Sequence, residues 1–162
     1  MVLDKKIYIT KNSEETKKLG FNFAKTLRKG DVVCLYGDLG FGKTTFVQGL
    51  AEGLGIKKRI ISPTFIIVRC YELQTSNFKL KTQNYSSKLK SLERFYHVDL
   101  YRIGSERDIE GLGLEEIIND KNNIVVIEWA ERLRSLMPAK RVDVEFSYEE
   151  ENIRKVTFSL TT

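Results

Sequence analysis

The stretch 37-GDLGFGKTTF-46, directly after the apolar run 32-VVCLY-36, decides what kind of domain this chain builds. Gly37 and Gly42 bracket four residues and are followed by Lys43 and Thr44, the pattern G-x-x-x-x-G-K-[ST]. Each residue type there has a physical reason. Glycines let backbone N–H groups curl around an anion without side chains in the way. A helix that starts at the lysine adds unpaired N–H groups and the positive end of its dipole. Lys43 can reach β- and γ-phosphates, and the Thr44 hydroxyl can ligate Mg²⁺. The preceding run is apolar throughout, as a strand covered on both faces of a parallel sheet is. Phe46, Val47, Leu50 and Leu54 then recur at helical spacing until Gly55. A strand–turn–helix with accidental glycines is the bland alternative; the flanking strand and amphipathic helix weigh against it.

Outward from the loop, 7-IYIT-10 reads as a short strand. Asn12 stands three before Glu15, a capping-box-like start to a helix carrying Leu19, Phe23 and Leu27 and ending at Gly30. The runs 65-FIIVRCY-71 and 95-FYHVDLY-101 are strand-like in β-branched and aromatic content. Ser105 and Asp108 predict another helix start, with Ile109, Leu112 and Ile117 as its buried side. The apolar run 124-IVVI-127 ends on Glu128, and 142-VDVEFSY-148 with 153-IRKVTFSL-160 predicts an antiparallel hairpin. This order predicts one domain over residues 1–162: a three-layer α/β P-loop NTPase-like fold with a mostly parallel sheet and a C-terminal antiparallel hairpin.

Composition narrows the function classes. The chain has 162 residues, 41% hydrophobic and 30% charged, ordinary for a globular protein. No stretch approaches 18 apolar residues, and 1-MVLDKKIYIT-10 lacks a secretion signal, so a cytoplasmic protein without membrane contact is expected. Cys34 and Cys70 sit in apolar runs and are expected to be buried thiols. The net charge of +5 is concentrated between residues 74 and 94, where Lys79, Lys81, Lys88, Lys90 and Arg94 face only Glu93. That polar, basic segment is expected to be a mobile loop insertion.

A phosphate-bound Mg²⁺ needs an acid at the end of a neighbouring strand. Glu128 is so placed, although aspartate is more usual. Asp99, in 97-HVDLYR-102, is a second candidate. His97 would share its face; alone the pair reads as structural, but an acid there can order a metal-bound or attacking water. Ser62, Pro63 and Thr64 form a polar break that spacing alone makes a turn, although its hydroxyls could also sense a γ-phosphate.

Taken together, 37-GDLGFGKTT-45, 62-SPTF-65, 97-HVDLYR-102 and 127-IEW-129 resemble the TsaE (formerly YjeE) family, in order from about residue 12 to about residue 146. The resemblance implies a bacterial P-loop ATPase of weak intrinsic activity, required to make the threonylcarbamoyl modification on the tRNA adenosine next to the anticodon. It implies action on a complex of a transferase subunit (TsaD) and its partner (TsaB), with tRNA touched indirectly or weakly. Its cofactors would be ATP and Mg²⁺. By the same resemblance Gly37, Asp38, Leu39, Gly40, Phe41, Gly42, Lys43, Thr44 and Thr45 would hold the phosphates. Thr44 and Glu128 would hold the metal, and Asp99 would be an essential acid. Ser62 and Thr64 would be a switch-like segment, Trp129 would lie beside the nucleotide, and Asn12 and Ser13 would line its base.

The chain departs from the family pattern in three places. Phe41 stands where alanine is usual, so its ring must point away from the phosphates. Ala130 replaces proline, and the 74–94 segment is longer than usual. Two rivals remain open. A small-molecule kinase would need lid arginines, for which Arg102, Arg107, Arg132 and Arg134 are available. An RNA-binding module would use the basic loop, with Phe78 and Tyr85 stacking on bases.

Overall fold

The computed structural model describes residues 2–73 and 94–162. Within them the elements run β1 (Val2–Thr10), α1 (Ser13–Ala24), β2 (Val32–Tyr36), α2 (Lys43–Gly53), β3 (Val68–Glu72), β4 (Arg94–Asp99), α3 (Leu114–Asn119), β5 (Asn123–Glu128), β6 (Arg141–Glu150) and β7 (Ile153–Thr161). Short 3₁₀ segments cover Glu106–Asp108 and Ala130–Leu136.

The strands form one seven-stranded sheet in the order β1-β7-β6-β2-β5-β4-β3. Strands β6, β2, β5 and β4 are mutually parallel. Antiparallel strands complete both flanks: β3 beside β4, and the β6–β7 hairpin followed by β1. The fold class expected from the sequence is the one observed.

Alternation along the buried strands divides the interior into two layers. Val33, Leu35, Ile124 and Val126 face the core under α1 and α2. Val32, Cys34, Val125 and Ile127 face the other, which packs beneath α3 and the 3₁₀ segments. Successive strand residues point to opposite faces, so a strand apolar at every position must be covered twice. Phe46 and Leu50 of α2 are fully buried in the first core; truncating such a leucine to alanine costs roughly 2–5 kcal/mol.

Helix α1 starts as its sequence signal requires. Asn12 Oδ1 accepts the Glu15 N–H at 2.8 Å, and the Glu15 carboxylate accepts the Lys11 N–H at 2.8 Å. Four expectations need correction. Helix α1 ends at Ala24 and not at Gly30, so Leu27 lies beyond it, although buried. The strand expected from Phe65 begins only at Val68: the Ile66 and Ile67 N–H groups both turn back to the Pro63 carbonyl, leaving Phe65 84% exposed. The helix expected from Ser105 is a 3₁₀ turn followed by the six-residue α3, with Gly111 and Gly113 between them. Asp108 accepts the Gly104 and Ser105 N–H groups at that turn. Cys34 is buried, and burial pushes its thiol up to about 12, but Cys70 is exposed on the edge strand β3. Among the described residues no helix is long and apolar enough to cross a membrane. Most of the basic segment, including Phe78 and Tyr85, lies outside the described residues.

Candidate functional site

The carboxyl ends of β2, β5 and β4 lie side by side, so the segments leaving them converge. Leu35 of β2 is in register with Glu128 of β5, and Glu128 is in register with Asp99 of β4. Crevices outside the carboxyl ends of parallel strands are where α/β sheets take ligands. Here the crevice is a cleft of about 360 Å³. Leu39, Gly40, Gly42, Lys43, Thr44 and Thr45 line one side of it. Ser62, Thr64, Asp99, Glu128, Trp129 and Arg154 line others.

The glycine loop enters α2 through Gly42, whose φ of 102° is left-handed and favours glycine. Lys43 folds back over the loop and is buried. Its Nζ donates to the Gly37 carbonyl and, at 2.9 Å, to the Asp38 carbonyl, and it lies 4.2 Å from the centre of the Trp129 ring. Burial pushes the Lys43 ammonium below its ordinary range, against the opposing pull of Glu128, Glu131, Asp99 and Asp38. An anion that neutralises this ammonium would relieve that penalty. The Phe41 ring turns out of the loop and packs edge-on against Tyr148 of β6, centroids 4.5 Å apart. Phe41 does not line the cleft, as its departure from alanine requires.

The two acids are held differently. Thr44 Oγ1 donates to Glu128, 3.1 Å from Oε1 and 3.0 Å from Oε2, and His97 Nε2 is 2.8 Å from Oε1. Asp99 Oδ2 accepts from both Ser62 Oγ and Thr64 Oγ1, the latter at 2.7 Å, while Oδ1 accepts the Tyr101 N–H at 2.9 Å. Both carboxylates are almost fully buried. A hydroxyl touching a buried carboxylate, beside a glycine loop, is a set of hard oxygen donors that fits Mg²⁺. Asn12 and Ser13 do not line this cleft, but α1 lies against the loop: a Cβ at Gly42 would meet Thr16 Cγ2 at 3.4 Å.

A profile of the family described as "Threonylcarbamoyl adenosine biosynthesis protein TsaE" matches residues 10–156. The chain belongs to the TsaE family. It is 38% identical over 147 residues to the tRNA threonylcarbamoyladenosine biosynthesis protein TsaE of Rickettsia felis, covering 90% of this chain and 75% of the relative. To the Bacillus subtilis protein of the same name it is 35% identical over 150 residues, covering 93% and 82%. To that of Treponema pallidum it is 32% identical over 149 residues, covering 92% and 96%. The crystal structure of YdiB from Bacillus subtilis superposes with a TM-score of 0.74 at 30% identity, covering all of this chain and 88% of that one.

Two features of this TsaE-family cleft were not drawn from the sequence. Arg154, on β7, lines it; Nε is buried without a partner among the described residues and lies where a Cβ on Gly42 would be 3.2 Å away. Only the fold brings the C-terminal hairpin over the loop, where Tyr148 Oη also donates to the Gly40 carbonyl at 3.2 Å. His97 is the other, tied to Glu128 and not to Asp99. Of the arginines considered for a kinase lid, Arg132 and Arg134 donate to backbone carbonyls of the turn after β4: Arg132 Nη1 to Ile103 at 2.8 Å and Arg134 Nη2 to Gly104 at 3.1 Å. Arg102 stacks on Phe65.

Proposed function

We propose that this chain is a cytoplasmic, Mg²⁺-dependent ATPase that supports threonylcarbamoyl transfer to tRNA by acting on a TsaD–TsaB-type transferase complex. The carrying observation is the meeting of Lys43, Thr44 and Glu128 in one cleft beside the glycine loop. Thr44 and Glu128 would hold the metal; Lys43, the loop from Gly37 to Thr45 and Arg154 would take the phosphates. Bound MgATP would supply a phosphoanhydride for hydrolysis.

The chain's own residues have distinct tasks. Lys43 and Arg154 offset negative charge from opposite elements, α2 and β7. Asp99 holds the 62–64 segment by its two hydroxyls, so a γ-phosphate that recruits Ser62 or Thr64 would have to draw them from Asp99. That exchange is the kind of contact through which switch segments report nucleotide state. Trp129 walls the cleft beside Lys43.

Reconstitution tests the reading. The modification of tRNA by the purified transferase complex should require this chain together with ATP. Equal product without the chain would overturn the proposed role. Label transferred from ATP to a small hydroxyl-bearing acceptor would point to a kinase instead.

A further inference from the structure

His97 is the chain's single histidine and is completely buried. Its strand neighbours in register are Arg69 on β3 and Val126 on β5, so it stands inside the sheet and not at its end. Nε2 meets Glu128 Oε1 at 2.8 Å, whereas Nδ1 is buried with no hydrogen-bond partner among the described residues. A carboxylate oxygen accepts, so the network assigns the proton to Nε2. An imidazole serves packing poorly at such a place, because an aliphatic side chain would fill the space without stranding a ring nitrogen. Among the described residues, the one polar return on burying it is the bond to Glu128.

That bond has a consequence for the acid. Glutamate carries one more rotatable bond than aspartate and needs more fixing. Thr44 approaches both oxygens of Glu128 nearly equally, so it does not by itself choose between them. His97 reaches Oε1 alone. We propose that His97 is a positioning residue: it anchors Oε1 of Glu128, fixes the plane of the carboxylate and leaves Oε2 to serve the metal shell with Thr44. The proposal rests on the Mg²⁺-nucleotide reading of the cleft. Partners that orient a metal-binding side chain typically contribute 10–100-fold in metal affinity.

Binding of Mn²⁺ to the full chain with ADP, followed by electron paramagnetic resonance of the free ion, tests this without recourse to turnover. His97→Leu should weaken Mn²⁺ binding by about tenfold or more, with ADP affinity in chelator unchanged. His97→Gln, whose Nε2 can take the place of the ring Nε2, should restore affinity to near the wild-type value. Should the leucine variant fail to show a cooperative melt, His97→Asn takes its place: its shorter amide does not reach Glu128, and it should bind Mn²⁺ as weakly. Wild-type Mn²⁺ affinity in the folded leucine or asparagine variant overturns the proposal, as does a glutamine variant no better than they are. If the unmutated protein with ADP binds no Mn²⁺, the nucleotide-metal reading itself fails and takes the proposal with it.

Discussion

Asp99 and Glu128 end adjacent parallel strands in direct register, yet they hold different partners. Glu128 is bound to the first turn of α2 through Thr44, and Asp99 to the 62–64 segment through Ser62 and Thr64. One acid is therefore coupled to the helix that follows the glycine loop and its neighbour to the segment that enters β3.

This separation predicts separable defects. Glu128→Gln keeps an oxygen for Thr44 but loses the charge that a metal would use. Hydrolysis with Mg²⁺ should fall by at least about tenfold, while metal-free nucleotide affinity changes little. Asp99→Asn should likewise lower reconstituted tRNA modification, by weakening its hold on two hydroxyls. Steady-state turnover and ADP titration of each variant check this, and wild-type turnover in either would reduce that acid to a structural part.

Lys43→Ala removes a buried ammonium whose present partners are the Gly37 and Asp38 carbonyls. Hydrogen bonds to charged groups contribute about 1.5–3 kcal/mol, so nucleotide affinity should drop by roughly 10–150-fold. Isothermal titration with ADP and ATP measures the loss. Unchanged affinity would remove Lys43 from the site.

Much of this arrangement was legible in the sequence because it rests on local spacing. The glycine loop, the strand before it and the acid closing 124-IVVI-127 are each contained within a few residues. Misread parts depended on distant ones. Phe65 and Ile66 have strand composition, but the Pro63 carbonyl captures the next N–H groups and sends Ile67 to a φ of 64°, which no propensity reveals. Cys70 sits in an apolar run, yet β3 is an edge strand, and strand order is not written in any one segment. Arg154 reaches Gly42 from more than a hundred residues away, and His97 on β4 pairs with Glu128 on the neighbouring strand β5, so neither contact leaves a local signal.

The α1–α2 contact that sets the loop's helix in place depends on two glycines. A Cβ added at Gly49 would lie 1.8 Å from the Lys17 carbonyl oxygen, and one at Gly20 would lie 2.1 Å from that of Phe46. Gly49→Ala must therefore push the helices apart. Overpacking of this kind costs about 1–3 kcal/mol and occasionally more. Thermal and urea unfolding should show the loss, and an unaltered midpoint would mean that the helices separate freely.

Shortening the basic 74–93 segment should leave nucleotide binding intact. Its flanks, Glu72 at the end of β3 and Arg94 at the start of β4, lie at the opposite end of these strands from Asp99. Arg94 and Asp99 are five residues apart along β4, about 17 Å at the rise of a strand, too far for the flanks to shape the cleft. Any defect should appear in association with the transferase complex or with tRNA. A shortened chain that no longer binds ADP would bring the segment into the site.

Trp129 gives the site a built-in reporter. It is the only tryptophan, it lines the cleft, and three groups surround its ring: Lys43 Nζ at 4.2 Å, Tyr101 at 5.1 Å between centroids, and Arg132 Cζ at 5.4 Å. The ammonium over the ring is the contact a nucleotide would disturb, because phosphates compete for the same charge. Adding ATP or ADP with Mg²⁺ should therefore change the emission, and Lys43→Ala should abolish most of the response. Arg132 donates to the Tyr101 and Ile103 carbonyls, so its contribution to the ring's surroundings should stay constant. A flat signal in unmutated protein that binds nucleotide by an independent assay would mean that the phosphates do not reach Lys43, and the site would have to be redrawn around other donors.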